Sequence, residues 1–294
     1  MRVLLTGAGG QVGAELARRA PRGVDVVALD RAGLDIRREA DVRAVVGDVG
    51  PDLILNAAAY TAVDRAESEP EEAFAVNEAG ARALAAAAAA AGGRMLHLST
   101  DFVFSGNSGR PYAPGDPPDP VNVYGRSKAA GERAVLELLG SRSLVVRTSW
   151  VYGPRGSNFL TTVLWRLREH HGVRVVTDQV GGPTAAPDLA RAVWDLATRE
   201  WRADGGAVVH VANPGSASRC QWAAAIRDLG VEMGMLDRES QVTPIRTADL
   251  PGGAPRPACS VLDTAATWRM LGYRLAPWRS ALRDVLREVA VRHA

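Results

Sequence analysis

The chain is predicted to form an α/β fold, a doubly wound parallel sheet carrying a smaller C-terminal lobe. Three observations carry this. Apolar runs of four to six residues (VLLTG, VDVVALD, DLILNAAA, MLHLSTD, LVVRTSW, VRVVTD, AVVHVAN) alternate with amphipathic stretches of helical period. Strands separated by helices require right-handed crossovers and so a parallel sheet. A glycine-rich turn follows the first run directly, and 294 residues suffice for a large domain with an appended lobe.

The first run leads into Thr6, Gly7, Ala8, Gly9, Gly10, Gln11, Val12 and Gly13, and then into a helix over about 11–20. Glycine at 7, 10 and 13 lets the backbone turn tightly and approach a pyrophosphate. The charge of that group then meets the free amides and positive dipole end of the helix. Strand, glycine turn and helix in this order make the sheet Rossmann-type and imply a dinucleotide. The second run ends at Asp30, placed to accept bonds from adenosine ribose hydroxyls and so to favour NADH. Arg31 follows, and a guanidinium there suits the 2′-phosphate of NADPH, so both cofactors are expected. Asp30 as a cap for the next turn is the competing assignment. Asp35 and Ile36 lie where a returning loop would meet the adenine edge.

A helix is expected over 37–48, then the run ending in Asn56, Ala57, Ala58 and Ala59, whose small side chains suit either close backbone approach to a cofactor or core packing. A helix over 71–91 leads to the strand ending at Thr100. A Pro-rich loop over 111–120 precedes a helix over 122–139 that contains NVYGRSK. Tyr124 and Lys128, four apart, share one face of that helix. A phenol with a reference pKa of about 10 needs a nearby ammonium to approach phenolate, and lysine's compact charge also suits ribose hydroxyls better than a planar guanidinium does. Thr100 adds a hydroxyl for the reacting oxygen. Thr100, Tyr124 and Lys128 are therefore the candidate catalytic residues for carbonyl reduction.

Further helices are expected over 158–170 and 187–200, and a second Pro-rich loop over 251–257. The dinucleotide domain is placed at 1–150 and rejoined by about 184–212. The substrate lobe takes 151–183 and 213–294.

Composition narrows the class. With 35 basic against 33 acidic residues there is no electrostatic footprint for nucleic acid or an anionic membrane. Cys220 and Cys259 are too few for a disulfide framework and lack zinc-site spacing, which points to a reducing cytoplasm. The opening MRVLLTG is a buried strand and not a secretory signal, and no apolar stretch is long enough to span a membrane. Among the 35 basic residues Lys128 is the only lysine. In a chain so biased to arginine, alanine and glycine, chemistry is a ready reason for keeping it.

TGxxGxxG, NAAAYTAVDRAE, STDFVF, YGRSK, RTSWVYG and RPACSVL together resemble the dTDP-4-dehydrorhamnose reductases, a branch of the extended short-chain dehydrogenases, essentially from end to end. The resemblance implies reduction of the C4 ketone of dTDP-6-deoxy-L-lyxo-4-hexulose to dTDP-L-rhamnose with hydride from NADPH or NADH. It implies that Gly10, Gln11, Val12, Asp30, Asp35, Ile36, Ala59, Tyr60 and Thr61 line the cofactor, and that Val63, Thr100, Asp101 and Trp150 touch the sugar nucleotide. Arg256 is a candidate partner for the sugar-nucleotide pyrophosphate, with a solvated loop arginine as the alternative.

The chain departs from the family at two places. Phe102 stands where a tyrosine is frequent, so one substrate hydroxyl contact is lost or moved. Some members dimerise around magnesium held by glutamates; Glu15 fits one such position, but Pro187 replaces another, so no metal is expected. His97, between two leucines, reads as buried structure, and His170 and His171 have no metal-ligand spacing. A monomer or homodimer is expected.

Two other functions compete. One is reduction of another dTDP-4-keto-6-deoxyhexose in antibiotic sugar pathways. The other is a non-catalytic role like that of the methionine adenosyltransferase β subunit, against which the intact Thr100, Tyr124 and Lys128 speak.

Overall fold

A computed structural model describes residues 1–199, 201, 207–250 and 252–293, with the backbone alone for 292 and 293. Strand β1 (Arg2–Thr6) is followed by helix α1 (Gln11–Arg18), β2 (Asp25–Leu29), α2 (Glu39–Val49) and β3 (Leu53–Asn56). The chain then forms α3 (Val63–Ser68), α4 (Pro70–Phe74), a π-helical turn (Ala75–Gly80) and α5 (Ala81–Ala90). The single helix expected over 71–91 is thus interrupted. Inside the π turn the buried Asn77 side chain receives the Tyr60 amide at 2.9 Å and donates to the Tyr60 carbonyl and the Ser127 hydroxyl. A side chain serving two neighbouring elements from within a helix matches the wider turn found there.

Strand β4 (Arg94–Thr100), α6 (Val123–Leu139) and β5 (Ser143–Thr148) complete the first half. Asn122 caps α6, its side chain accepting from the Gly125 amide at 2.7 Å. There follow β6 (Val151–Tyr152), α7 (Phe159–His170), β7 (Gly172–Val176), β8 (Val180–Gly181), β9 (Thr184–Ala185), α8 (Ala186–Ala197) and β10 (Ala207–His210). The last residue of the helix expected over 187–200, Glu200, lies outside the described residues, as does Pro251 in the expected 251–257 loop. The C-terminal part adds β11 (Ala217–Ser218), α9 (Arg219–Glu232), β12 (Gln241–Ile245), α10 (Ala265–Leu271) and α11 (Trp278–His293).

Six strands form one parallel sheet in the order β10-β5-β4-β3-β1-β2. From β1 the chain turns one way to β2 and the other way to β3, so the switch point lies between β1 and β3, where open α/β sheets bind ligands at their carboxyl edge. Apolar side chains cover both faces. Val3, Leu5, Leu53 and Leu55 pack toward α1 and α8, while Leu4 and Ile54 pack toward α2, α5 and α6. Burial on both faces explains why these strands are apolar throughout and do not alternate. The segment VRVVTD is not part of this sheet: β7 pairs in parallel with β12 alone. A third core, around Trp222, Tyr152, Leu160, Leu282 and Leu286, joins α7, α9 and α11. Among the described residues no helix is long and apolar enough to cross a membrane.

Candidate active site

The β1–α1 turn opens the site. Gly7 has φ +74, and a Cβ there would lie 2.5 Å from the Ala58 amide nitrogen just beyond β3. At Gly13 a Cβ would lie 2.0 Å from the Gly7 carbonyl oxygen, so this glycine serves the packing of α1 on the turn and does not line a cavity. Helix α1 begins after Gly10 with no side-chain cap, leaving its first amides free. The buried Gln11 Oε1 has no partner among the described residues. The free amides fit the pyrophosphate end of a dinucleotide, while the Gln11 oxygen, an acceptor, suits a hydroxyl or amide donor of such a ligand.

Two cavities meet at this turn. One of about 520 Å³ is lined by Gly7, Gly10, Asp30, Arg31, Asp35, Ile36, Ala59 and Tyr60, all expected along the cofactor, with Asp30, Arg31, Asp35 and Ile36 expected at its adenosine half. Asp30 Oδ1 accepts from the Ala32 and Gly33 amides at 3.0 Å, which is the turn-capping arrangement. Arg31 is exposed and 3.7 Å from Glu72. Asp35 is engaged by Arg37, which holds its carboxyl down to about 2.

The second cavity, about 420 Å³, brings together Gly10, Gln11, Val12, Ala59, Thr61, Val63, Thr100, Asp101, Tyr124, Lys128 and Trp150. Its centre is the N-terminal half of α6 against the end of β4. Burial pushes the Tyr124 phenol up to about 12, opposed by the facing Thr100 hydroxyl. Burial also holds the Lys128 ammonium down to about 8, opposed by Glu132 one helical turn further on. Lys128 Nζ donates to the Leu98 carbonyl at 2.7 Å and lies 3.4 Å from His97 Nε2. The expected pull of Lys128 on the phenol is therefore corrected. Desolvation is the largest effect on both groups, and the lysine is anchored on β4 through the Leu98 carbonyl.

Asp101 is buried, and its carboxylate accepts from Thr100 Oγ1 (3.1 Å), Ser149 Oγ (3.0 Å) and Ser260 Oγ. Burial raises its pKa and the three hydroxyls lower it, burial being the larger effect. Phe102 packs edge-on against Tyr124 at 5.8 Å. Trp150 is a non-glycine residue at φ 44. A Cβ on Gly181 would lie 2.4 Å from its ring, so that glycine makes room for the indole.

Reading along the sequence missed Arg219. Its guanidinium carbon sits 3.7 Å from the Trp150 ring centroid and 5.3 Å from that of Phe159. Burial holds its pKa down to about 10, and among the described residues the guanidinium makes no hydrogen bond or ion pair. It lines both this cavity and a neighbouring one of about 720 Å³ that holds Arg166, Arg174 and Arg256. The available signal was the capping box Ser218-x-x-Gln221 at the start of α9, which fixes Arg219 at the helix's first residue. Arg256 does not reach the main cavity: it pairs with Asp64 at 2.9 Å and with the Ala254 carbonyl at 3.2 Å. Glu15 is buried and bound by Arg18 and Arg19, and Pro187 lies in the first turn of α8. Among the described residues no group of three or more His, Cys, Asp or Glu gathers to hold a metal.

Residues 1–291 match the family model for the RmlD substrate binding domain. The chain is 42% identical over 294 residues to a dTDP-4-dehydrorhamnose reductase of Mycobacterium tuberculosis, covering 97% of this chain and 92% of that protein. It is 39% identical over 288 residues to the spore coat polysaccharide biosynthesis protein SpsK of Bacillus subtilis, covering 98% and 97%. Among solved structures, the dTDP-4-dehydrorhamnose reductase of Bacillus anthracis in complex with NADP superposes with a TM-score of 0.90 at 34% identity, covering 98% of this chain and 99% of that one.

Proposed function

The chain belongs to the RmlD substrate-binding family, and from that premise we propose that it reduces the C4 ketone of dTDP-4-dehydrorhamnose to give dTDP-L-rhamnose. The single observation that carries the chemistry is the convergence of Thr100, Tyr124 and Lys128 on one cavity beside the glycine turn. NADPH or NADH, when bound, supplies hydride to C4. The α1 amides would hold its pyrophosphate, and the Asp30–Arg31 edge of the cavity would take the adenosine.

As C4 is reduced, charge grows on its oxygen. Tyr124 gives that oxygen its phenolic proton, and the Thr100 hydroxyl steadies it. A phenol pushed up to about 12 stays protonated at neutral pH and is thus loaded as the acid. Lys128 stabilises the tyrosinate left behind. Asp101, held by three hydroxyls, and Trp150 shape the sugar's side of the cavity. Arg219, a half-buried guanidinium with no ion pair among the described residues, takes the diphosphate. Trp150, Phe159 and Trp222 form an aromatic wall of the same cavity around Arg219.

The test is to supply several dTDP-4-keto-6-deoxyhexoses with NADH or NADPH, follow loss of cofactor absorbance and identify the sugar formed. dTDP-L-rhamnose from dTDP-4-dehydrorhamnose is the expected product. Faster turnover of a different keto sugar, or no turnover of any, would overturn the assignment.

A further inference from the structure

Lys128 shares a cavity with Tyr124 and is itself backed by a buried polar row. Behind it, buried in the sheet, His97 on β4 and Asn56 on β3 continue to Thr6 on β1. Hydrogen-bond polarity can be assigned along this row from one fixed donor. The Ala58 amide, which cannot reverse, donates to Asn56 Oδ1 at 3.1 Å, and the Thr6 hydroxyl donates to the same oxygen at 2.8 Å. The other end of the amide, Nδ2, therefore faces His97 Nδ1 at 3.0 Å and must donate to it. A neutral imidazole that accepts at Nδ1 carries its proton on Nε2. That Nε2–H points at Lys128 Nζ, 3.4 Å away.

An ammonium has three donors and no lone pair, so it cannot accept from Nε2–H, whereas a neutral amine can. We propose that His97 is a positioning residue for the reaction proposed above, its Nε2–H fixed by Asn56 so as to favour the amine form of Lys128 and poise that lysine to pass a proton to Tyr124. The proton balance is simple. Once Tyr124 has given its proton to the product oxygen, an N–H bond of Lys128 breaks and the tyrosine O–H bond re-forms, the proton crossing the cavity that both side chains line. The amine lone pair then receives the His97 Nε2–H, and Lys128 regains its proton from solvent at the cavity. His97 keeps its own proton throughout.

The other groups around Lys128 act in known directions. Glu132 on its own helix favours the ammonium, and Arg147 on β5 is paired to that Glu132. Tyr124 lies one turn away on α6, and Asp101 lies beyond it at the end of β4. From the sheet side the facing titratable group is His97, whose own pKa burial and Lys128 hold well below the ordinary value. Burial is what holds the ammonium down to about 8, and the His97 Nε2–H facing Nζ acts in the same direction.

Because Lys128 is the only lysine in the chain, it can be watched alone. Protein labelled with ¹³C-lysine gives one Cε resonance whose titration is that of Lys128, with no substrate or cofactor needed. The experiment titrates wild type, His97→Leu and Asn56→Asp. The aspartate would draw the imidazole proton to Nδ1 and leave Nε2 as an acceptor. Both variants are expected to raise the Lys128 pKa by about one unit or more. Independently, ¹⁵N-histidine spectra of the wild type, with His97 assigned by substituting the other four histidines in turn, are expected to show the Nε2–H tautomer. An Nδ1–H tautomer, or a Lys128 titration unmoved in a folded His97→Leu protein, overturns the proposal. Should the variants fail to fold, the wild-type tautomer decides. Neither readout depends on activity, so failure of the substrate assignment is separable from failure of this one.

Discussion

Arg219 lies over the Trp150 indole with its guanidinium carbon 3.7 Å from the ring centroid, linking the first residue of α9 to the end of β5. Stacking occupies its face and leaves its in-plane donors for an anion. Arg256, by contrast, is already neutralised by Asp64. Arg219→Ala should weaken dTDP binding by about 10- to 100-fold, the scale of a lost charge-assisted hydrogen bond. Arg256→Ala should weaken it by no more than about 3-fold, since an exposed ion pair returns part of what it releases. Titration calorimetry with dTDP measures both, and equal losses would reject the division of roles.

Lys128→Arg keeps the charge but replaces a compact ammonium with a planar fork that cannot keep both the Leu98 carbonyl and the phenol in reach. Turnover should fall by roughly 10² or more with little change in melting temperature. The pH profile carries a second sign. Lys128 is charged below about 8 and neutral above it. Wild-type turnover, which uses the charged form to stabilise tyrosinate, should decline as pH rises through that value. The guanidinium does not titrate there, so the decline should vanish in Lys128→Arg. A limb retained near pH 8 in the variant would assign it to another group.

Glu132 and Arg147 form a bidentate pair at 2.6 and 2.9 Å with both side chains 3% exposed, and Ser99 donates to the same carboxylate. Removing one partner strands a charge in the interior. Glu132→Leu should cost about 3–5 kcal/mol, and the double change Glu132→Leu with Arg147→Met should restore much of it. Urea unfolding measures this, and a double variant no more stable than the single one would contradict it.

His210 on the edge strand β10 is buried, and burial, with the Arg147 guanidinium second, holds its pKa down to about 4 from 6.5. The unfolded chain binds this proton more readily than the fold does, so stability is full above about 6.5 and falls as pH drops toward 4. Other groups titrate there too, so the measurement is the difference between wild type and His210→Leu. Wild type should lose up to about 3 kcal/mol more than the variant between pH 6.5 and 4. A difference that stays constant with pH would remove His210 from the acid response.

The sequence by itself determined what is local. Strand, glycine turn and uncapped helix lie within eighteen residues, and the Tyr124–Lys128 spacing needs only the helical repeat, so the fold class and the helix that carries both side chains were legible. The interruption between α4 and α5 was not, because its cause is Asn77 bonding to Tyr60 and Ser127 on other elements. Tertiary structure alone decided that Arg219 and not Arg256 reaches the main cavity, that Asp101 is held by Ser149 and Ser260, and that Lys128 faces His97. It also reversed the expected direction of the phenol's shift. The physical reason is common to all of these. Burial and hydrogen-bond partners are set by which distant segments converge at the carboxyl edge of the sheet, and spacing along the chain fixes only which side chains share a face of one element.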